Sequence, residues 1–457
     1  MRRKTISQRI TYGVLAALIL FAAPVSGQPK SRGSLTLEAA LNEALQNNPE
    51  LQVVRRDLGV ARGELMQAQI YPFNPALELE GNGGRSRSKE SPVERRTVGG
   101  FAVGLSQTVE IRGQRGLRTN IATAKLQETE WEVRDAERRV LADVMGAFGE
   151  LLQAQERLKL AQQTVALAEE TRETARKQFE AGEVPRLDLL RADVELRRAL
   201  TRRVAEERRA AATRKHLNLR LGRAPDAPLR ADGPLLLPEL PGTRAALLQQ
   251  ALELRPDLNA ATAGLQTVRH SVSLVRAERL FPEVELALRY EEDHALDERE
   301  RRGILEVAIP LPLFNRRQGE LEAALAEGLK QEAQVALIRS QIKTEVATAF
   351  GQFQSSQQIV EEYVQHILPQ QEQNFRLLRE GYTLGQFGLS DVLLAQRELT
   401  DVRFDYLEAI GEFNTAVAEL RRATGLTMLK PAGRKPGSGL KPVGYFTQTS
   451  RQKGYRR

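Results

Sequence analysis

Apolar and small residues recur at alternating steps of three and four over two very long stretches of this chain. In the first, Val140, Val144, Ala147, Leu151, Ala154, Leu158, Ala161, Val165 and Ala168 keep the rhythm; Arg172 breaks it, and Ala175 and Phe179 resume it. That spacing predicts a coiled-coil seam in which small residues let helices approach closely. A helix from Gly113 to Ala181 spans roughly 100 Å at 1.5 Å per residue, a length that suits a span between two membranes better than a compact domain. In the second stretch Ile342, Val346, Ala349, Phe353, Val360, Tyr363 and Ile367 follow the same rhythm, with Ser356 in one slot. Pro369 cannot donate the hydrogen bond that a continuous helix requires, so a kink or bulge is predicted there.

Four short segments show the other period. Leu77 and Leu79 alternate with Glu78 and Glu80. Phe101, Val103, Leu105, Val109 and Ile111 share one face of a strand, as do Val284, Leu286, Leu288 and Tyr290, and then Leu305, Val307, Ile309 and Leu311. Charge and glycine near 81–97 and 291–302 predict loops between the members of each pair. Segments of about ten residues with one apolar face fit a membrane-spanning barrel, although any single pair reads equally well as a half-buried hairpin. Four strands cannot close, and an open edge is not tolerated in lipid. About eight is the practical minimum, so a barrel needs more than one copy: two copies give eight strands and three give twelve.

The two stretches belong to two copies of one unit. Residues 47–54 lie over 254–261 and 75–80 over 282–287 at an offset of 207; Phe148-Gly149 matches Phe350-Gly351 at 202, and 181–192 matches 384–395 at 203. The expected organisation is a first repeat over 28–223, a Pro/Gly-rich linker over 224–243 and a second repeat over 244–429. Residues 1–27 read as a signal peptide: a basic start, an apolar run from Val14 to Ala23, then small residues around Val25-Ser26-Gly27.

Net charge changes the picture only after it is located. The formal +8 sits at the termini: residues 1–27 hold four basic side chains and 430–457 hold eight, with no acid in either. The body carries 55 basic and 59 acidic groups, so a nucleic-acid groove is not expected. The tail from Lys430 reads as disordered. The sequence contains no cysteine, which excludes disulfides, thiolate metal sites and a lipidated N-terminal cysteine. His216, His270, His294 and His366 stand at no ligand spacing, and neither a phosphate-binding glycine loop nor a nucleophile elbow occurs. No enzyme, cofactor or resident metal is expected.

The order of these features resembles the TolC-like outer-membrane factors, over nearly all of residues 35–425. The stretches "LTLEAALNEALQNNPEL", "SQTVEIRGQR" and "IPLPLFNRRQG" look like the repeated signatures of that family. "ARGELMQAQIYPFNPALELE" is especially similar to its heavy-metal branch (cobalt–zinc–cadmium, CzcC-type). The resemblance implies a mainly α fold with a small β part: a homotrimer with a twelve-stranded barrel in outer-membrane lipid and a twelve-helix periplasmic tunnel. It implies a passive exit duct served by a periplasmic adaptor and an inner-membrane RND-type pump, with divalent metal cations as the expected cargo and drugs as the alternative. A periplasmic coiled-coil adaptor or scaffold is the competing reading from another class, and it leaves the four alternating segments unexplained.

The same resemblance assigns the two helix–helix turns, "AGEVPRLD" and "LGQFGLSD", to the tunnel tip where the adaptor docks. The docking residues are then Gly182, Val184, Pro185, Leu187, Gly385, Phe387, Gly388, Leu389 and Ser390, with Val184, Phe387 and Leu389 presenting apolar surface. The family narrows its tip with aspartates. Asp391 falls on one such position, Asp188 is its counterpart in the first repeat, and Leu394 replaces the family's second aspartate one turn on. A carboxylate ring there would attract cations.

Overall fold

The computed structural model describes residues 34–87, 95–238, 242–279, 283–295 and 298–426. The segments read as a signal peptide and a basic tail lie outside these residues. A two-residue strand β1 (Ser34–Leu35) opens the first repeat, followed by α1 (Leu37–Asn47), α2 (Pro49–Gln69), β2 (Ala76–Arg87), β3 (Arg95–Val109), α3 (Gln114–Glu180) and α4 (Arg186–Arg220). The short β4 (Arg230–Ala231) pairs in parallel with β1. The second repeat runs α5 (Arg244–Leu254), α6 (Pro256–Glu278), β5 (Val284–Ala295), β6 (Glu298–Ala308), α7 (Gln318–Glu362), α8 (Leu368–Thr383) and α9 (Leu389–Thr424). No helix among the described residues is long and apolar enough to cross a membrane.

The repeats close on themselves with the same contact. Asn48 caps α2 and its amide donates to the Arg220 carbonyl at the end of α4, 2.8 Å away. Arg255, at the equivalent place in the second repeat, donates to the Ala423 carbonyl at the end of α9, 3.2 Å away. Asp257 and Glu345 hold the Arg255 guanidinium from either side. Gly222 and Gly425 end these helices in the left-handed region, at φ +72° and +73°. A side chain on Gly222 would also strike the Asn47 carbonyl at 2.3 Å.

The long helix α3 has 67 residues and packs along α4, α6 and α9. Its predicted seam is buried from Val140 through Ala168, except that Leu158 is half-buried, and Arg172 turns out of the seam to meet Asp193 of α4 at 2.8 Å. In the second repeat the seam is buried from Ile342 to Val360, including Ser356. A five-residue π-turn, Tyr363–Ile367, follows, with Pro369 directly behind it. The wider turn lets the Leu368 N–H reach the Tyr363 carbonyl, and it accommodates the donor that Pro369 lacks. The extra residue moves the seam by one place: Leu368, not Ile367, is the next buried position. It also accounts for the change in repeat offset from 202 to 203, which falls between Gly351 and Leu384.

The four longer strands form one antiparallel sheet in the order β2-β3-β5-β6. Pairing sets Leu77, Leu105, Leu288 and Leu305 in a straight row across it. Leu79, Phe101, Val103, Leu286, Tyr290 and Val307 share that face, and all are substantially exposed in the single chain. On the other face Arg289 reaches Glu78 and Glu80, at 3.4 and 3.6 Å, past the bare backbone of Gly104. The charged stretches predicted as loops near 81–97 and 291–302 are largely strand instead. In the second stretch charges meet across the ladder, as in Arg301–Glu292 at 3.2 Å, so polarity there does not end the pairing. The apolar runs in turn outlast the strands. Ile111, Ile309 and Leu311 lie beyond the ends of β3 and β6, and the chain bends at Pro312, where the Leu313 N–H donates to the Leu311 carbonyl.

Candidate gate and docking tip

At the end of α3 the chain reverses through Gly182, at φ +77°; at the end of α8 it does so through Gly385, at φ +75°. Both turns return the same pair of hydrogen bonds to the helix they leave. The Gly182 N–H donates to the Phe179 carbonyl at 3.0 Å and Glu183 to Gln178 at 2.8 Å; Gly385 donates to Tyr382 at 3.0 Å and Gln386 to Gly381 at 2.8 Å. This six-residue closure satisfies the last carbonyls of the helix and demands a left-handed residue at its corner. Pro185 then leads into α4. Gly388 leads into α9, where the Asp391 carboxylate accepts the Gly388 N–H at 3.0 Å. A carboxylate in the first turn also suits the positive end of the helix dipole.

The two aspartates are not equivalent. Asp391 is exposed, with exposed Leu394 one turn on. Asp188 is drawn to Arg191, 3.4 Å away. Arg191 stands where Leu394 stands in the second repeat, and its guanidinium also donates to the Ser390 hydroxyl. A second tie crosses the repeats beside it: the Tyr382 hydroxyl donates to the Gln178 side-chain carbonyl at 2.6 Å. The two turns are thus stapled to one another at their tips.

Of the residues read as a docking surface, Leu187 is exposed, Val184 half-buried and Phe387 about half exposed. Leu389 is not part of that surface. It is 4% exposed and packs with Ala175, Ala192, Leu393 and Tyr382 beneath the turns, because it continues the α9 seam of Leu393 and Leu399. Exposed apolar surface lies also between α4 and α9, where Leu187, Leu190, Val194 and Leu394, flanked by Arg191, Glu195, Arg198 and Arg397, line an open groove of about 450 Å³. Leu190 and Val194 were legible as continuations of Leu187 at helical spacing. Arg191 was legible as the charged partner of Leu394 in the repeat.

Gly381 carried no such signal. The Phe387 ring lies against its bare backbone, and a Cβ there would sit 2.4 Å from the ring. Gly381→Ala is therefore expected to expel Phe387 from its seat while leaving the helices intact. The check is solvent quenching of a Phe387→Trp reporter in a Trp131→Phe background, which should rise in the variant and stay unchanged in Gly351→Ala, a helical glycine with open space around it.

The sequence matches the outer membrane efflux protein family over residues 40–223 and again over 247–426. The chain belongs to that family. As an outer membrane efflux protein it is a channel, not an enzyme, and it resides in the outer membrane with its long helices in the periplasm. It is 28% identical to the cobalt-zinc-cadmium resistance protein CzcC of Cupriavidus metallidurans, over 87% of this chain and 91% of that one. It is 24% identical to the antibiotic efflux pump outer membrane protein ArpC of Pseudomonas putida, over 79% of this chain and 77% of that one. The fold matches the outer membrane protein VceC of Vibrio cholerae with a TM-score of 0.69 at 21% identity, covering 85% of this chain and 96% of that one. Among the described residues no group of three or more His, Asp or Glu side chains is arranged to hold a metal ion.

Proposed function

We propose that three copies of this channel close a twelve-stranded barrel and form the exit duct of a tripartite efflux system. An inner-membrane RND-type pump and a periplasmic adaptor would deliver divalent heavy-metal cations to it. The closure rests on a sheet with an apolar outer face and two edges unpaired among the described residues, since lipid tolerates only closed sheets. The adaptor would meet the tips at Gly182, Val184, Pro185, Leu187, Gly385, Phe387, Gly388 and Ser390, and Asp391 with Leu394 would form the constriction, with Asp188 held aside by Arg191.

The cargo assignment is carried by the likeness to a cobalt-zinc-cadmium resistance protein over nearly the whole of both chains. The chemistry of α9 supports it. Asp391, Glu398, Asp405 and Glu412 fall seven residues apart, so they share one helix face, and each is exposed. A carboxylate-lined duct concentrates cations and repels anions. The test is growth of a deletion strain, with and without the gene restored, across zinc, cobalt, cadmium, nickel, copper and a drug panel. Sensitivity confined to the metals is expected. Sensitivity confined to drugs would overturn the cargo and keep the duct. Detergent-extracted protein should carry the mass of three chains; a monomer would overturn the closure.

A further inference from the structure

Within one chain β3 is paired on both sides, to β2 and to β5, whereas β6 and β2 each have one side open among the described residues. The repeat supplies the missing partner. β6 occupies in the second repeat the place of β3 in the first, and the local chemistry fixes that equivalence to the residue. The Arg112 N–H donates to Gln114 Oε1 and the Arg316 N–H to Gln318 Oε1, both at 2.8 Å. The left-handed residues that open α3 and α7 are Gly113 and Arg317, so the offset between β3 and β6 is 204. Between β2 and β5 it is the 207 of the sequence repeat. These two offsets carry the first hairpin onto the second: Leu79 opposite Val103 becomes Leu286 opposite Val307, and Gly81 opposite Phe101 becomes Leu288 opposite Leu305.

The same offsets can be applied to the β3–β5 ladder. Val103 opposite Tyr290 becomes Val307 opposite Gly83. Gly104 opposite Arg289 becomes Ala308 opposite Asn82, Leu105 opposite Leu288 becomes Ile309 opposite Gly81, and Gln107 opposite Leu286 becomes Leu311 opposite Leu79. Inside one chain these residues are separated by β3 and β5, so the pairing joins two copies. We propose that the open edge of β6 in one copy pairs antiparallel with the open edge of β2 in the next, in this register.

This register rests on the barrel closure argued above and adds to it the residue-by-residue pairing. It sets odd positions against odd, so the apolar faces of the two copies coincide; a one-residue slip would turn one of them inward. It also occupies Ile309 and Leu311, which are 50% and 68% exposed in the single chain, by placing them beside the apolar stretch of β2. Gly81 and Gly83, with open space where a side chain would stand, leave room for that approach.

The chain contains no cysteine, so paired substitutions report only on the designed contact. Val307→Cys with Gly83→Cys and Ala308→Cys with Asn82→Cys test neighbouring rungs, one of which is the narrow kind of antiparallel pair. Oxidation in isolated outer membranes should convert most of the chain to covalent dimers and trimers on a non-reducing gel in at least one of them. Val307→Cys with Gly81→Cys and Ile309→Cys with Gly83→Cys are each two residues out of register. Their Cα atoms would stand beyond the roughly 7 Å that a disulfide can bridge, so at least roughly fivefold less product is expected. A higher yield from an offset pair overturns the register. No product from any pair, in protein that runs as a trimer under native conditions, overturns the β6–β2 pairing. A native monomer would instead overturn the barrel closure, and the register with it.

Discussion

Gly385→Pro is expected to reduce export to the level of the deletion strain while the protein still reaches the outer membrane and assembles. Two effects act on one residue. Gly385 stands at φ +75°, whereas proline is fixed near −65°, and the Gly385 N–H that donates to the Tyr382 carbonyl is removed. A proline in such a position costs about 3 kcal/mol or more, and here the cost falls on one turn at the far end of a helix pair. The sheet lies at the other end of α3, roughly 100 Å away at 1.5 Å per residue. What the turn positions is lost with it: the Phe387 ring on Gly381, the Asp391 carboxylate at the start of α9, and the ties from Tyr382 to Gln178 and from Arg191 to Ser390. Gly385→Ala makes the graded comparison. It keeps the N–H and pays only for a left-handed side-chain residue, about 1–2 kcal/mol, so partial export is expected. The measurement pairs growth under substrate stress with the amount of assembled protein in outer-membrane fractions. Full export by Gly385→Pro would remove the tip from function, and absence of the assembled protein would make the turn a folding element.

Much of this molecule is legible in its sequence, and what is not has specific physical causes. The seam through Val140 to Ala168 reads correctly because heptad spacing is a local property of the chain. It understates α3, where Met145, Leu152 and Leu160 are buried as well, because that helix packs against neighbours on several sides. Pro369 announces a disturbance, and the one-residue change of repeat offset gives its size. The strands were located by alternation, but their ends were not. Glu292 and Arg301 look like loop residues until their pairing across the ladder is seen. The family resemblance puts Leu389 on the docking surface, although its spacing to Leu393 and Leu399 puts it in the seam. The seat of Phe387 on Gly381 depends on a ring folding back over a helix, and no periodicity reports that.

Arg157→Ala is expected to destabilise the helical part of the molecule more than any other loss of a single charge discussed here. Arg157 leaves α3 at a point where α4 and α9 both approach. Its guanidinium donates to Glu206 of α4 at 3.1 to 3.3 Å, to Glu408 of α9 at 3.1 Å and to the Phe404 carbonyl at 3.4 Å. It also lies over the Phe404 ring, 5.1 Å from the centroid. The Arg157 and Glu206 side chains are only 10% and 8% exposed, whereas Glu408 is 57% exposed. Removing the arginine leaves the Glu206 carboxylate buried without its counter-charge, a loss of about 3–5 kcal/mol. Glu408→Ala removes a partner that water can replace and should cost less than about 1 kcal/mol. The double variant Arg157→Leu with Glu206→Leu leaves no buried charge and should recover most of the loss, because desolvation of the pair offsets much of its attraction. Thermal unfolding of the detergent-solubilised protein orders the three: Arg157→Ala lowest, with the double variant and Glu408→Ala near the parent. If Arg157→Ala melts with Glu408→Ala, water reaches Glu206 and the three-helix junction is held by packing around Phe404. If the double variant melts as low as Arg157→Ala, the ion pair contributes more than its desolvation costs, and the tie between α3 and α4 is electrostatic.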